Sequence, residues 1–60
     1  MNKIKKMRKH IGLTQEQLAC RMNIDCSTVA KWETGKAKPW ADKLPELAQI
    51  LKCKIDDLFE

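Results

Sequence analysis

Several absences narrow this 60-residue chain before any motif is considered. No apolar run approaches the roughly 20 residues that cross a bilayer. The basic start is not followed by the apolar segment of a signal peptide. Sustained period-two alternation is missing and β-branched residues are sparse, so nothing signals a strand. No repeat, low-complexity stretch or linker interrupts the chain. A single histidine, no glycine-rich phosphate loop and no carboxylates paired across helices leave no constellation for catalysis, and no cofactor is implied. The cysteines at 20, 26 and 53 form no CxxC or CxH pair, and together with His10 they match no structural zinc spacing. Unpaired thiols fit a cytoplasmic chain kept reduced. The length predicts one domain spanning 1–60, burying about 60% of its unfolded surface in a small helical core.

Charge is unevenly placed. Residues 1–10 carry Lys3, Lys5, Lys6, Arg8 and Lys9 and no acid, for a local charge of +5. Residues 31–38 add a net +2, while residues 39–60 carry −2, so that a basic front precedes an acidic tail in a chain of net charge +4. A basic front suits a polyanion, most often nucleic acid, although a solvated surface explains it about as well.

Apolar residues fall at helical spacing. Ile4, Met7 and Ile11 form one stripe, with Gly12 as a left-handed stop. Thr14 is a good N-cap, and Gln17 completes a capping box for a second helix whose buried stripe is Leu18, Ala19 and Met22. Asn23 can take the left-handed stop conformation. Only Asn23 and Ile24 separate that helix from Asp25, which caps a third helix running to Glu33 or Thr34 and ended by Gly35. In this third helix Val29 and Trp32 read as core, with Cys26, Ser27 and Lys31 on the opposite side and Thr28 at its margin. A loop with Lys36, Lys38, Pro39 and Trp40 follows. Asp42 is the expected cap of a fourth helix, with Pro45 in its first turn and Leu44, Leu47, Ala48 and Leu51 inward. A last helix is expected over 56–59, anchored by Cys53, Ile55 and Leu58. Trp40 reads either as packing back on helices three or four, or as an exposed anchor for a partner. The expected fold is all-α, with five short helices.

The run GLTQEQLACRMNIDCSTVAKWETGKAKP resembles the lambda-repressor and Cro type of helix-turn-helix, also called the xenobiotic-response-element family. The marks are Gly12-Leu13-Thr14-Gln15, Leu18-Ala19, Val29, Trp32-Glu33, Gly35-Lys36 and Pro39, and the tail LPELAQILKCKIDDLF continues the likeness. The resemblance implies a sequence-specific regulator of transcription, a repressor, that binds double-stranded DNA. Helix two would cross the phosphate backbone and helix three would lie in the major groove. It assigns Gln15 to a phosphate or neighbouring base edge, and Cys26, Ser27, Thr28 and Lys31 to the bases. Thr34, Lys36 and Lys38 fall at phosphate-contacting positions. Arg8 and Glu33 match a bridge that would hold Arg8 near the DNA backbone. A homodimer on a palindromic operator is expected, formed in solution or only on DNA, with Phe59 and Trp40 at the contact and half-sites roughly 34 Å apart.

The chain departs from the family at Asn23 and Lys52, where glycine is usual. Thr34 stands where many members have asparagine, and Cys26 where a longer polar residue is usual. Two other functions remain open at this level. One is an antitoxin or accessory module that binds a protein through Trp40 and Phe59. The other is a redox or metal sensor that uses the cysteines.

Overall fold

A computed structural model describes residues 2–59, and among them the elements are five helices: α1 Ile4–His10, α2 Gln15–Met22, α3 Cys26–Thr34, α4 Leu44–Ile50 and α5 Ile55–Leu58. α2 packs most extensively on α3 and also against α4, while α1 leans on α3 and α5 on α4. Ile4, Leu18, Val29, Leu47 and Leu58 are fully covered, one from each helix, so the five elements share one core. Each such side chain contributes about 1.5–3 kcal/mol by leaving water. That is enough to hold helices of four to nine residues, which would not persist alone.

The helix-turn-helix is fixed by local chemistry. The Thr14 hydroxyl accepts the Gln17 N–H at 3.0 Å, and the Gln17 side-chain Oε1 accepts the Thr14 N–H at 2.9 Å, which closes the capping box. α2 stops at Asn23 in the left-handed region (φ 57°), and the Ile24 N–H then bonds the Ala19 carbonyl at 3.0 Å. Asp25 holds the N-cap position of α3 in extended conformation, as its place in the sequence suggested, but its side chain makes no capping bond. α3 ends at Gly35, φ 81°, a conformation that a Cβ would strain.

Elsewhere the structure revises the expected elements. Asp42 does not cap α4. Residues 41–43 form a turn anchored on the Trp40 carbonyl, which accepts the Lys43 N–H at 2.8 Å and the Leu44 N–H at 3.2 Å; the helix starts after Lys43, with Pro45 in its first turn. α5 begins at Ile55, because the Asp57 carboxylate accepts the Lys54 N–H at 3.0 Å and so fixes the helix start. Ile55, expected as an anchor, is exposed, and Leu58 alone of this helix is buried. Cys53 is half-buried against the core. Trp40 packs against neither neighbouring helix closely enough to be covered: it is 71% exposed.

The two ends of the described chain meet. The Asn2 carbonyl oxygen of the side chain accepts the Ile4 N–H at 3.1 Å, its amide donates to the Trp32 carbonyl at 2.7 Å, and the Lys3 N–H donates to the Leu58 carbonyl at 2.7 Å. The first residues thereby tie the ends of α3 and α5 together.

Candidate nucleic-acid interface

α3 divides along its length. Val29 and Trp32 are buried in the bundle, whereas Ser27, Lys31 and Thr34 are exposed. Thr28 is half-buried at the margin. The exposed set is small, polar and basic, as a surface that reads base edges requires. Lys36 and Lys38 are exposed in the loop beyond Gly35. That loop is held by the Ala37 N–H on the Lys31 carbonyl at 3.3 Å and by Pro39, which is buried.

Cys26 does not lie opposite the core, as its sequence position suggested. It is half-buried and packs against the core cluster. The reason is helical geometry: Val29 and Ala30 follow it by three and four residues, so all three share one flank. Its exposed side opens into a cleft of about 580 Å³ lined by Arg8, Lys9, Gly12, Leu13, Thr14, Gln15, Glu16 and Cys26. The cleft therefore lies among the end of α1 and the starts of α2 and α3. Lys9 adds a cation at this face beyond the residues that the resemblance assigns to DNA. Its place directly after Arg8 was the available signal.

Arg8 pairs with Glu33, as the resemblance implies, but does so covered rather than at the surface. It is 6% exposed and lies among apolar neighbours on the buried side of α1. Its Nε donates to Glu33 Oε2 at 2.6 Å, Nη2 to Glu33 Oε1 at 3.3 Å and Nη1 to the Leu13 carbonyl at 2.7 Å. The Leu13 N–H returns a bond to the Arg8 carbonyl at 3.1 Å, so the turn into α2 is locked from both sides. Gln15, the first residue of α2, is half-buried, and its Nε2 donates to Glu33 Oε1 at 2.9 Å. Glu33 thus gathers Arg8 of α1 and Gln15 of α2 at the end of α3. Burial alone would raise its carboxyl pKa; the hydrogen bonds from Arg8 and Gln15, with the charges of Arg8 and Lys5, outweigh that and hold it below its ordinary value.

The Thr34 hydroxyl donates back to the carbonyls of Ala30 (3.1 Å) and Lys31 (3.3 Å). In that arrangement its proton is occupied within the helix, and a phosphate, which only accepts, has no donor from it.

Among the described residues no three His, Cys, Asp or Glu side chains gather as a metal site would require. Cys20 is exposed on α2. Burial and then the nearby Asp57 carboxylate push the Cys53 thiol pKa up, which disfavours its reactive thiolate. Among the described residues no helix is long and apolar enough to cross a membrane.

With this geometry in place, the likeness to known proteins is specific. The sequence pattern of the helix-turn-helix family matches residues 4–58. The chain belongs to this family, in its lambda-repressor and Cro branch. It is 34% identical over 57 residues to the HTH-type transcriptional activator BcrR of Enterococcus faecalis, with 95% of this chain and 28% of that protein aligned. It is 33% identical over 57 residues to an uncharacterized HTH-type transcriptional regulator of Archaeoglobus fulgidus, covering 95% and 80% of the two chains. It is 35% identical over 51 residues to the cryptic phage CTXphi transcriptional repressor RstR of Vibrio cholerae, covering 85% and 46%. The chain thus spans less than half the length of the activator and of the repressor.

Proposed function

We propose that the chain binds double-stranded DNA sequence-specifically and represses transcription, with no catalytic step. The observation that carries this reading is the division of α3, with Val29 and Trp32 buried and Ser27 and Lys31 exposed. α3 lies in the major groove, where Lys31 donates to guanine O6 and N7, and Ser27 and Thr28 meet neighbouring edges. Cys26 packs at the edge of that contact, against a thymine methyl. Gln15 and the free N–H groups at the start of α2 hold one phosphate. Lys36 and Lys38 hold others. Arg8 supports this face from beneath through Glu33.

Repression needs only occupancy of the operator, whereas activation needs a further surface for the transcription machinery. Relatives bear both names, so a promoter–reporter assay decides the sign. The reading includes a homodimer on a palindrome, acting in the cytoplasm. Selection of bound duplexes from a random pool tests it: a palindrome with half-site centres roughly 34 Å apart is expected. Recovery of no preferred sequence would reject sequence-specific binding.

A second reading has one observation in its favour. Trp40 and Phe59 are 71% and 42% exposed, more than large aromatics usually are unless a partner covers them. An antitoxin or accessory module would bind a protein through them. It predicts a stable heteromeric complex that Trp40→Ala abolishes, together with weak, unselective DNA binding.

A further inference from the structure

The Glu33 carboxylate touches the candidate DNA face without belonging to it. Three features define its position. Oε2 is taken by Arg8 Nε at 2.6 Å, and Oε1 receives both Arg8 Nη2 and Gln15 Nε2. The Glu33 side chain is almost fully covered, at 3% exposure. Gln15, by contrast, is half-buried: its amide nitrogen meets Glu33, and the residue also lines the open cleft beside Cys26. An anion beside a phosphate-binding face would ordinarily oppose DNA; here Arg8 neutralises it and Lys5 adds positive charge nearby.

The amide geometry follows. A glutamine amide offers two N–H donors on nitrogen and a carbonyl acceptor. The ionised carboxylate only accepts, so it admits the nitrogen end of Gln15 and repels the oxygen end. The flipped amide would set two acceptors against each other in a covered site. The Gln15 nitrogen is therefore held, with its second N–H left over for an acceptor outside. A phosphate oxygen is such an acceptor, and a base-edge donor is not.

We propose that Glu33 is a positioning residue for DNA binding: its carboxylate fixes the orientation of the Gln15 amide so that a single N–H is presented to a backbone phosphate. The inference rests on the DNA-binding reading above and names what selects the Gln15 contact. Because Glu33 sits at the end of α3, the same carboxylate sets the start of α2 and the reader helix in one register.

The test is a double-mutant cycle on the duplex recovered by selection, with wild type, Gln15→Ala, Glu33→Gln and the double variant. Gln15→Ala is expected to weaken binding about tenfold, and Glu33→Gln by a similar factor, while the double variant binds no worse than Gln15→Ala alone. Multiplied losses in the double variant, or an undiminished affinity in Gln15→Ala, overturn the proposal. A wild type that selects no duplex sinks the DNA-binding reading instead. Should Glu33→Gln fail to fold, the wild type still decides. The Gln15 side-chain ¹⁵N resonance is followed as acid protonates Glu33, with Glu33 followed by its own carboxyl ¹³C signal. Matching midpoints for the two signals are expected, and a Gln15 resonance that ignores the Glu33 titration overturns the proposal.

Discussion

Arg8 and Glu33, 25 residues apart in sequence, meet at 2.6 Å with side chains 7% and 3% exposed. At the surface such a pair contributes little. Covered as it is, its members depend on each other, and the loss of either leaves the other's charge largely buried without its partner. Arg8→Ala is expected to destabilise the fold by about 3–5 kcal/mol, whereas replacing both residues by apolar ones of similar volume costs far less. Urea denaturation of the two variants measures the difference.

The pair also sets an acid response. The Glu33 carboxyl pKa lies below its ordinary 4.5 in the fold, so the unfolded chain takes up that proton first. Its contribution to stability is complete above about 4.5 and is lost as the pH falls through the folded-state value. Urea midpoints followed from neutral pH downward should hold until the ordinary carboxylate range and then decline, and Glu33→Gln should lack that part of the decline.

Lys31 projects from the exposed side of α3, away from Val29 and Trp32. Lys31→Ala should relax base preference at one position of the operator and lower affinity for the best site by about 1–3 kcal/mol. Binding measured across single-base variants of the selected duplex makes the distinction. A uniform loss on every sequence would make Lys31 a phosphate contact.

Lys36 is exposed just beyond the Gly35 turn. Lys36→Ala should weaken all duplexes alike and reduce the slope of log affinity against log salt by about one. A slope equal to that of wild type would remove Lys36 from the phosphate footprint.

Lys52 adopts φ 56° although it carries a Cβ. Lys52→Gly relieves a left-handed strain of about 1–2 kcal/mol, partly offset by the greater freedom glycine gains on unfolding. A rise in the thermal midpoint with unchanged DNA affinity is expected. A fall would mean that the lysine side chain contributes more than its backbone strain costs.

Much of the fold was legible because short-range signals carried it. The Thr14–Gln17 box, the stops at Asn23 and Gly35, and the apolar spacing of Leu18, Met22, Val29 and Trp32 act within one or two turns, so they are visible in the residues themselves. The start of α4 differs from the expected one for a related reason: Asp42 is a good cap in isolation, but the turn on the Trp40 carbonyl displaces the helix start to Leu44. At the candidate site, the exposure of Ser27 and Lys31 could be read from periodicity. The Arg8–Glu33 pair follows from the family resemblance, but its junction with Gln15 could not be read, because the three residues are brought together only by the packing of three helices. Cys26 sits at the boundary between the two cases. It shares a helical flank with Val29 and Ala30, yet one side of it still opens to the cleft beside Gln15.

The bonds from Asn2 to Trp32 and from Lys3 to Leu58 have a kinetic consequence. They close the largest loop that the described chain contains, while the α2–α3 turn closes one of the smallest. Chain entropy opposes long closures more than short ones, so the turn belongs to the early events of folding and the joining of the ends to the late ones. α3 is therefore assembled on its neighbour before its carboxyl end is fastened. That fastening governs how fast the molecule opens more than how fast it forms.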